Sequence, residues 1–68
     1  MSPKRRTETP EEVRKRLLAD GWTERKGKGD HRNFNKTGIR AVITVDMGAR
    51  AVPTGTLRNI YRNAGWQW

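Results

Sequence analysis

The sequence predicts an α+β sandwich in the order helix, strand, strand, strand, helix, with both helices on one face of a three-stranded antiparallel sheet. Three observations carry this. Two stretches with apolar residues at helical spacing each open on a proline-containing start signal, and each closes on Gly-Trp, at positions 21–22 and 65–66. Between them lie three short segments parted by glycine-bearing turns. The last segment alternates apolar and polar residues, the period of a strand with one buried face.

The first helix starts at Thr9-Pro10-Glu11-Glu12, where Thr9 can cap, Pro10 suits the first helical position and Glu12 completes a capping box. Val13, Leu17 and Leu18 form its expected buried stripe, with Glu11–Lys15 and Glu12–Arg16 pairs on the outer face. Gly21 fits the left-handed position that ends it, and Trp22 can fold back on Leu17. Trp22 to Lys26 then reads as a first strand and His31 to Lys36 as its hairpin return across Gly27–Gly29. Thr37-Gly38 turns into the clearest strand, Ile39 to Val45, whose odd positions Ile39, Ala41, Ile43 and Val45 share a face. Asp46 to Val52 reads as a loop with Arg50 exposed. Pro53-Thr54-Gly55-Thr56 opens the second helix, on which Leu57, Ile60, Tyr61 and Ala64 make one apolar face. The expected core is Leu17, Trp22, Phe34, Ile43, Val45, Leu57, Ile60 and Tyr61. Trp68 falls outside the periodic pattern, and contact with a partner or packing over the end of the second helix are both open.

Sixty-eight residues make one domain, here residues 9–68, preceded by a flexible basic arm over residues 1–8 that contains Lys4, Arg5 and Arg6. There is no cysteine and one histidine, so the usual zinc ligand sets cannot be assembled and no cofactor or metal is expected. No apolar run reaches membrane length, and Met-Ser-Pro-Lys-Arg-Arg lacks the apolar stretch of a signal peptide. The expectation is a cytoplasmic protein with no membrane contact.

Charge is the strongest compositional signal. Fifteen Lys and Arg stand against seven Asp and Glu, a formal net of +8. Residues 1–20 hold six basic and four acidic side chains, a net of +2, and residues 21–68 hold nine and three, a net of +6. The excess therefore lies on the globular part, as expected of a surface that binds a phosphate backbone or an acidic protein. At the centre of that part, Gly27-Lys28-Gly29-Asp30-His31-Arg32-Asn33-Phe34 carries the only histidine. A side chain that titrates near neutrality, at the mouth of a basic hairpin, suits acid/base work on a phosphodiester. A lone histidine without a visible partner is by itself ordinary surface. Period two places Arg32 and Phe34 on one face of the strand and His31, Asn33 and Asn35 on the other, so His31 faces solvent if Phe34 faces the helices.

The first helix with Gly21-Trp22, the run Lys26 to His31 with Phe34, and Gly55-Thr56-Leu57-Arg58 with Ile60 and Ala64-Gly65 together resemble the HicA family of bacterial toxins, over residues 10–66. The resemblance implies a double-stranded-RNA-binding-domain-like fold, a small endoribonuclease that cleaves mRNA, and a HicB-like antitoxin that silences it. It maps the family's catalytic histidine onto His31. Three departures stand out. Asp30 occupies a position where serine is common in the family, Asp46 and Met47 stand where many members carry proline and histidine, and the arm is longer than usual.

Metal-independent RNA cleavage needs a base for the 2′-hydroxyl, an acid for the leaving 5′-oxygen and cations for the charge on the phosphorane. His31 is the expected proton-transfer residue, with Lys26, Lys28 and Arg32 as RNA-binding cations. The second proton carrier stays open. So does the oligomeric state, whether homodimer or toxin–antitoxin hetero-oligomer. The alternatives are a non-catalytic RNA-binding module of the same fold and a basic protein-interaction domain.

Overall fold

A computed structural model describes residues 7–68. The order is α1 (Pro10–Ala19), β1 (Thr23–Lys26), β2 (His31–Lys36), β3 (Ile39–Asp46) and α2 (Thr54–Ala64). The strands form one antiparallel sheet in the order β1-β2-β3. The predicted α-β-β-β-α sandwich is the architecture observed. Lys4, Arg5 and Arg6 of the predicted arm lie outside the described residues.

Capping fixes the start of α1. The Thr9 hydroxyl accepts from the Glu12 N–H at 3.1 Å, and the Glu12 carboxylate accepts from the Thr9 N–H at 2.9 Å. The Thr9 N–H, above all, and the Thr9 hydroxyl beside it hold the Glu12 carboxyl below its ordinary range. Both helices stop the same way. Trp22 N–H donates to Leu17 C=O at 3.0 Å and Trp66 N–H to Tyr61 C=O at 2.9 Å, each across a left-handed glycine, Gly21 and Gly65.

The helices bury Val13 and Leu17 from α1 and Leu57, Ile60, Tyr61 and Ala64 from α2 against Phe34, Ile43 and Val45. All eight residues of the expected core are buried. One expectation fails. Leu18 is 38% exposed, because one residue past Leu17 turns it about 100° away from a sheet only three strands wide. Ile39, outside the expected core at the start of β3, is 37% exposed, and the ladder is irregular there: Phe34 pairs with Ile43 but Lys36 with Ile39, so Arg40, Ala41 and Val42 stand opposite Asn35 alone.

Val52, expected in a patternless loop, is buried in the core. Its N–H donates to Glu8 C=O at 2.9 Å, and the Tyr61 hydroxyl donates to the Glu8 carboxylate. Glu8, read in the sequence as part of the arm, is therefore tied to the domain. Trp68 packs edge-on against Tyr61, with ring centroids 5.0 Å apart.

A polar cluster joins the two helix ends. The indole N–H groups of Trp22 and Trp66 both donate to Asp20 Oδ2, at 3.2 and 3.0 Å, and Lys36 at the end of β2 stands 3.5 Å from the same oxygen. Trp66, above all, holds the Asp20 carboxyl below its usual range. The Arg16 guanidinium lies 4.1 Å from the Trp66 ring centroid and donates to the Tyr61 hydroxyl at 3.0 Å.

Candidate functional site

The other end of β2 opens with His31, and the turn before it decides how that side chain is held. His31 N–H donates to Lys28 C=O at 3.0 Å, with Gly29 at φ 59 and no positive φ at Asp30, the pattern of a type II′ turn. Gly27 N–H donates to His31 C=O at 2.9 Å, while Lys26 pairs with Arg32. Gly27 and Lys28 thus stand opposite the single residue His31, the count of a bulge. The bulge leaves the predicted facing intact. Phe34 points to the helices and His31 lies exposed on the opposite face.

The imidazole folds back over the turn, where His31 Nδ1 sits 3.1 Å from Lys28 C=O. A carbonyl only accepts, so Nδ1 carries the proton in this bond and Nε2 is the nitrogen left for other chemistry. Beside the ring is a cavity of about 290 Å³ lined by His31, Thr44 and Asp46 of the sheet and by Val52, Pro53 and Thr56 at the entry to α2. Asp46 is the direct cross-strand partner of His31. One carboxylate oxygen of Asp46, Oδ1, accepts from Gly48 N–H at 3.0 Å. Farther along the same face, the Thr44 hydroxyl donates to Asn33 Oδ1 at 2.8 Å.

The turn at Asp46–Ala49 is pinned to the hairpin turn. Met47 N–H donates to Asp30 C=O at 2.9 Å, which carries the ladder one residue past the His31–Asp46 pair. The Asp30 carboxylate lies against Gly48, so close that a Cβ at position 48 would come within 2.6 Å of it. Asp30 thereby serves the junction of two turns.

The expected cations do not all gather at His31. Lys28 meets the ring through its backbone carbonyl, and its side chain is exposed on the same turn. Lys26 and Arg32 line a different cavity of about 540 Å³, with Glu11, Arg14, Glu24 and Met47, on the side of the sheet that faces α1. There Glu24 receives Arg14 Nε at 3.0 Å and stands 3.6 Å from Arg32 Nε, so it already engages both guanidinium groups. Arg14 is held more firmly protonated chiefly by its hydrogen bonds to Glu24. This larger cavity is a web of ion pairs, and the smaller one holds the titratable ring.

Sequence reasoning left Thr44, Asp46 and Thr56 out of the site. Alternation along the third strand puts Thr44 and Asp46 on the face opposite Val45, the face of His31, and so contains the signal for two of them. For Thr56 it holds none, because the path of the 47–53 loop decides where α2 begins.

Among the described residues no helix is long and apolar enough to cross a membrane, and no three His, Cys, Asp or Glu side chains group to hold a metal ion. No match to a curated protein was found. Residues 10–66 match a family model described as the HicA toxin of bacterial toxin-antitoxin. That match spans both helices, the whole sheet, the turn that holds His31 and the loop around its cavity, and membership implies a partner antitoxin. The chain belongs to the HicA family and is a toxin of a bacterial toxin–antitoxin system.

Proposed function

We propose that this toxin is an endoribonuclease that cleaves mRNA without a metal, in the cytoplasm, with His31 as the catalytic proton-transfer residue and a HicB-like antitoxin as its silencing partner. The observation that carries the reading is the state of the ring. Nδ1 is committed to Lys28 C=O, so the proton-transfer nitrogen is Nε2, beside a cavity with polar and apolar walls. A fixed tautomer removes the cost of orienting the ring during reaction.

The nucleophile is the 2′-hydroxyl of the RNA itself, so the protein has to move protons and balance charge and has no water to activate. Lys28, on the same turn, supplies positive charge to the phosphorane. Lys26 and Arg32 bind the RNA backbone away from the cleaved bond, on the α1 side of the sheet. The net charge of +8 draws RNA in and makes binding fall steeply with salt.

The test is His31→Ala. Cleavage of RNA and growth arrest are expected to fall by more than about a hundredfold, the usual scale for a positioned acid or base, with RNA binding and melting temperature nearly unchanged. The wild-type product is expected to end in a 2′,3′-cyclic phosphate or 3′-phosphate, with no response to chelators. A His31→Ala protein that still cleaves RNA at the parental rate overturns the reading. One observation favours a second reading, a non-catalytic RNA-binding module: two of the three expected cations lie away from His31, paired or lining another cavity. Tight RNA binding by the wild type without any cleavage would select it.

A further inference from the structure

We propose that Asp46 is the second catalytic residue, the general base for the 2′-hydroxyl, and that His31 acts as the general acid for the leaving 5′-oxygen. This rests on the ribonuclease reading above and assigns the two proton transfers that reading leaves undivided.

The two residues are direct cross-strand partners at the end of the β2–β3 ladder, and both line the same cavity, whose other wall is the loop before α2 and the first turn of that helix. Side chains opposed in this way start from Cβ atoms about 4.5–5.5 Å apart, so their tips can reach one phosphodiester lying over the pair. Among the described residues no hydrogen bond joins His31 to Asp46. Each is instead anchored by one atom to the backbone: His31 Nδ1 to Lys28 C=O, and Asp46 Oδ1 to Gly48 N–H. What is left on each is a single proton-transfer atom, Nε2 on the histidine and Oδ2 on the aspartate. Asp30 is the other carboxylate nearby, but it lies against Gly48 and does not line the cavity.

The chemistry of the two groups sets their roles. A carboxylate accepts protons at neutral pH, and an imidazole titrates close enough to neutrality to give one. The 2′-O–H bond breaks and its proton passes to Asp46 Oδ2 as the 2′-oxygen bonds to phosphorus. The P–O5′ bond breaks as the 5′-oxygen takes the Nε2 proton of the His31 imidazolium, whose Nδ1 proton stays on Lys28 C=O and which is left as the neutral ring. The products are a 2′,3′-cyclic phosphate and a 5′-hydroxyl, and no water, metal or redox partner enters. Hydrolysis of the cyclic phosphate would run the pair in reverse roles.

The experiment uses the full chain and two RNA substrates, one natural and one in which the bridging 5′-oxygen is replaced by sulfur. A thiolate leaves without a proton, so the sulfur substrate needs a base and no acid. Asp46→Asn retains an oxygen to accept the Gly48 N–H, so its fold is kept, and its melting curve is recorded alongside. On natural RNA, Asp46→Asn and His31→Ala are both expected to lose more than about a hundredfold. On the sulfur substrate His31→Ala should recover to near the parental rate, whereas Asp46→Asn should stay slow and Asp46→Glu should regain part of the loss. Parental cleavage by Asp46→Asn, with His31→Ala still inactive, removes Asp46 from the chemistry and leaves the ribonuclease reading standing. Recovery of Asp46→Asn on the sulfur substrate in place of His31→Ala overturns the assignment of roles. Parental cleavage of natural RNA by His31→Ala brings down the parent reading itself.

Discussion

One strand, β2, connects two unlike ends of this molecule. At its last residue, Lys36 reaches Asp20, which also receives two indoles, while Arg16, Tyr61 and Glu8 interlock close by. At its first residue, His31 and Asp46 face one another with no such tie and are each fastened only to a neighbouring turn. Polar side chains at the first end hold other side chains; at the second they hold backbone and keep one atom in reserve. The difference teaches how a chain of this length can carry the proposed reactive groups at all. Side-chain ties gather at one end, so the end proposed to handle substrate can leave polar atoms unspent.

Substitutions should respect that division, and the largest effect belongs to the residue between the two ends. Phe34 is fully buried midway along β2. Phe34→Ala should cost about 3–5 kcal/mol, against a total stability on the order of 3–10 kcal/mol for a chain this size. Denaturant titration should show most or all of the folded population lost, and both ends with it. His31→Ala should fall on one side only, with cleavage down more than about a hundredfold and the unfolding midpoint held. A large drop in midpoint would mean that the reactive end is also structural, and the comparison would break.

Asp20→Asn should fall on the opposite side, lowering the melting temperature while cleavage per folded molecule stays parental. Its folded pKa lies below the ordinary 3.8 of an aspartate, so its contribution is present above that pH and is lost as pH falls through the lower folded value. The gap in melting temperature between wild type and Asp20→Asn should therefore close in acid below pH 3.8 and stay open at neutral pH. A gap that persists unchanged in acid would show that the carboxylate charge is not what secures the indoles. The smallest effect should come from Thr9→Ala, about 1 kcal/mol of stability from the lost cap with no change in activity.

The sequence made one end more legible than the other, and local physics is the reason. Capping box and glycine stop each depend on residues within a turn or two, and both appear as expected in α1, as do Val13 and Leu17 of its stripe. Leu18 misled because burial depends on how wide the sheet is, and that is not written in a helical stripe. Val52 was invisible for a related reason: it is buried by Glu8 and the core, not by a period of its own. At the site His31 was legible as the lone titratable ring on a turn. Arg32 was grouped with it by proximity in sequence, although alternation already set the two on opposite faces. Asp46 needed the pairing of β2 with β3, a relation between residues fifteen positions apart.

The interlocked end also has a consequence in time. Arg16 meets Tyr61 across 45 positions, Asp20 meets Trp66 across 46, and Glu8 meets Tyr61 across 53. The turn that holds His31 closes within a few residues. During synthesis the reactive turn can thus form early from local contacts, but the bonds that make it durable wait on residues up to Trp66. Loop closures of that length slow folding. The turn is thus the quick part of this molecule to form, and the interlocked end the slow one.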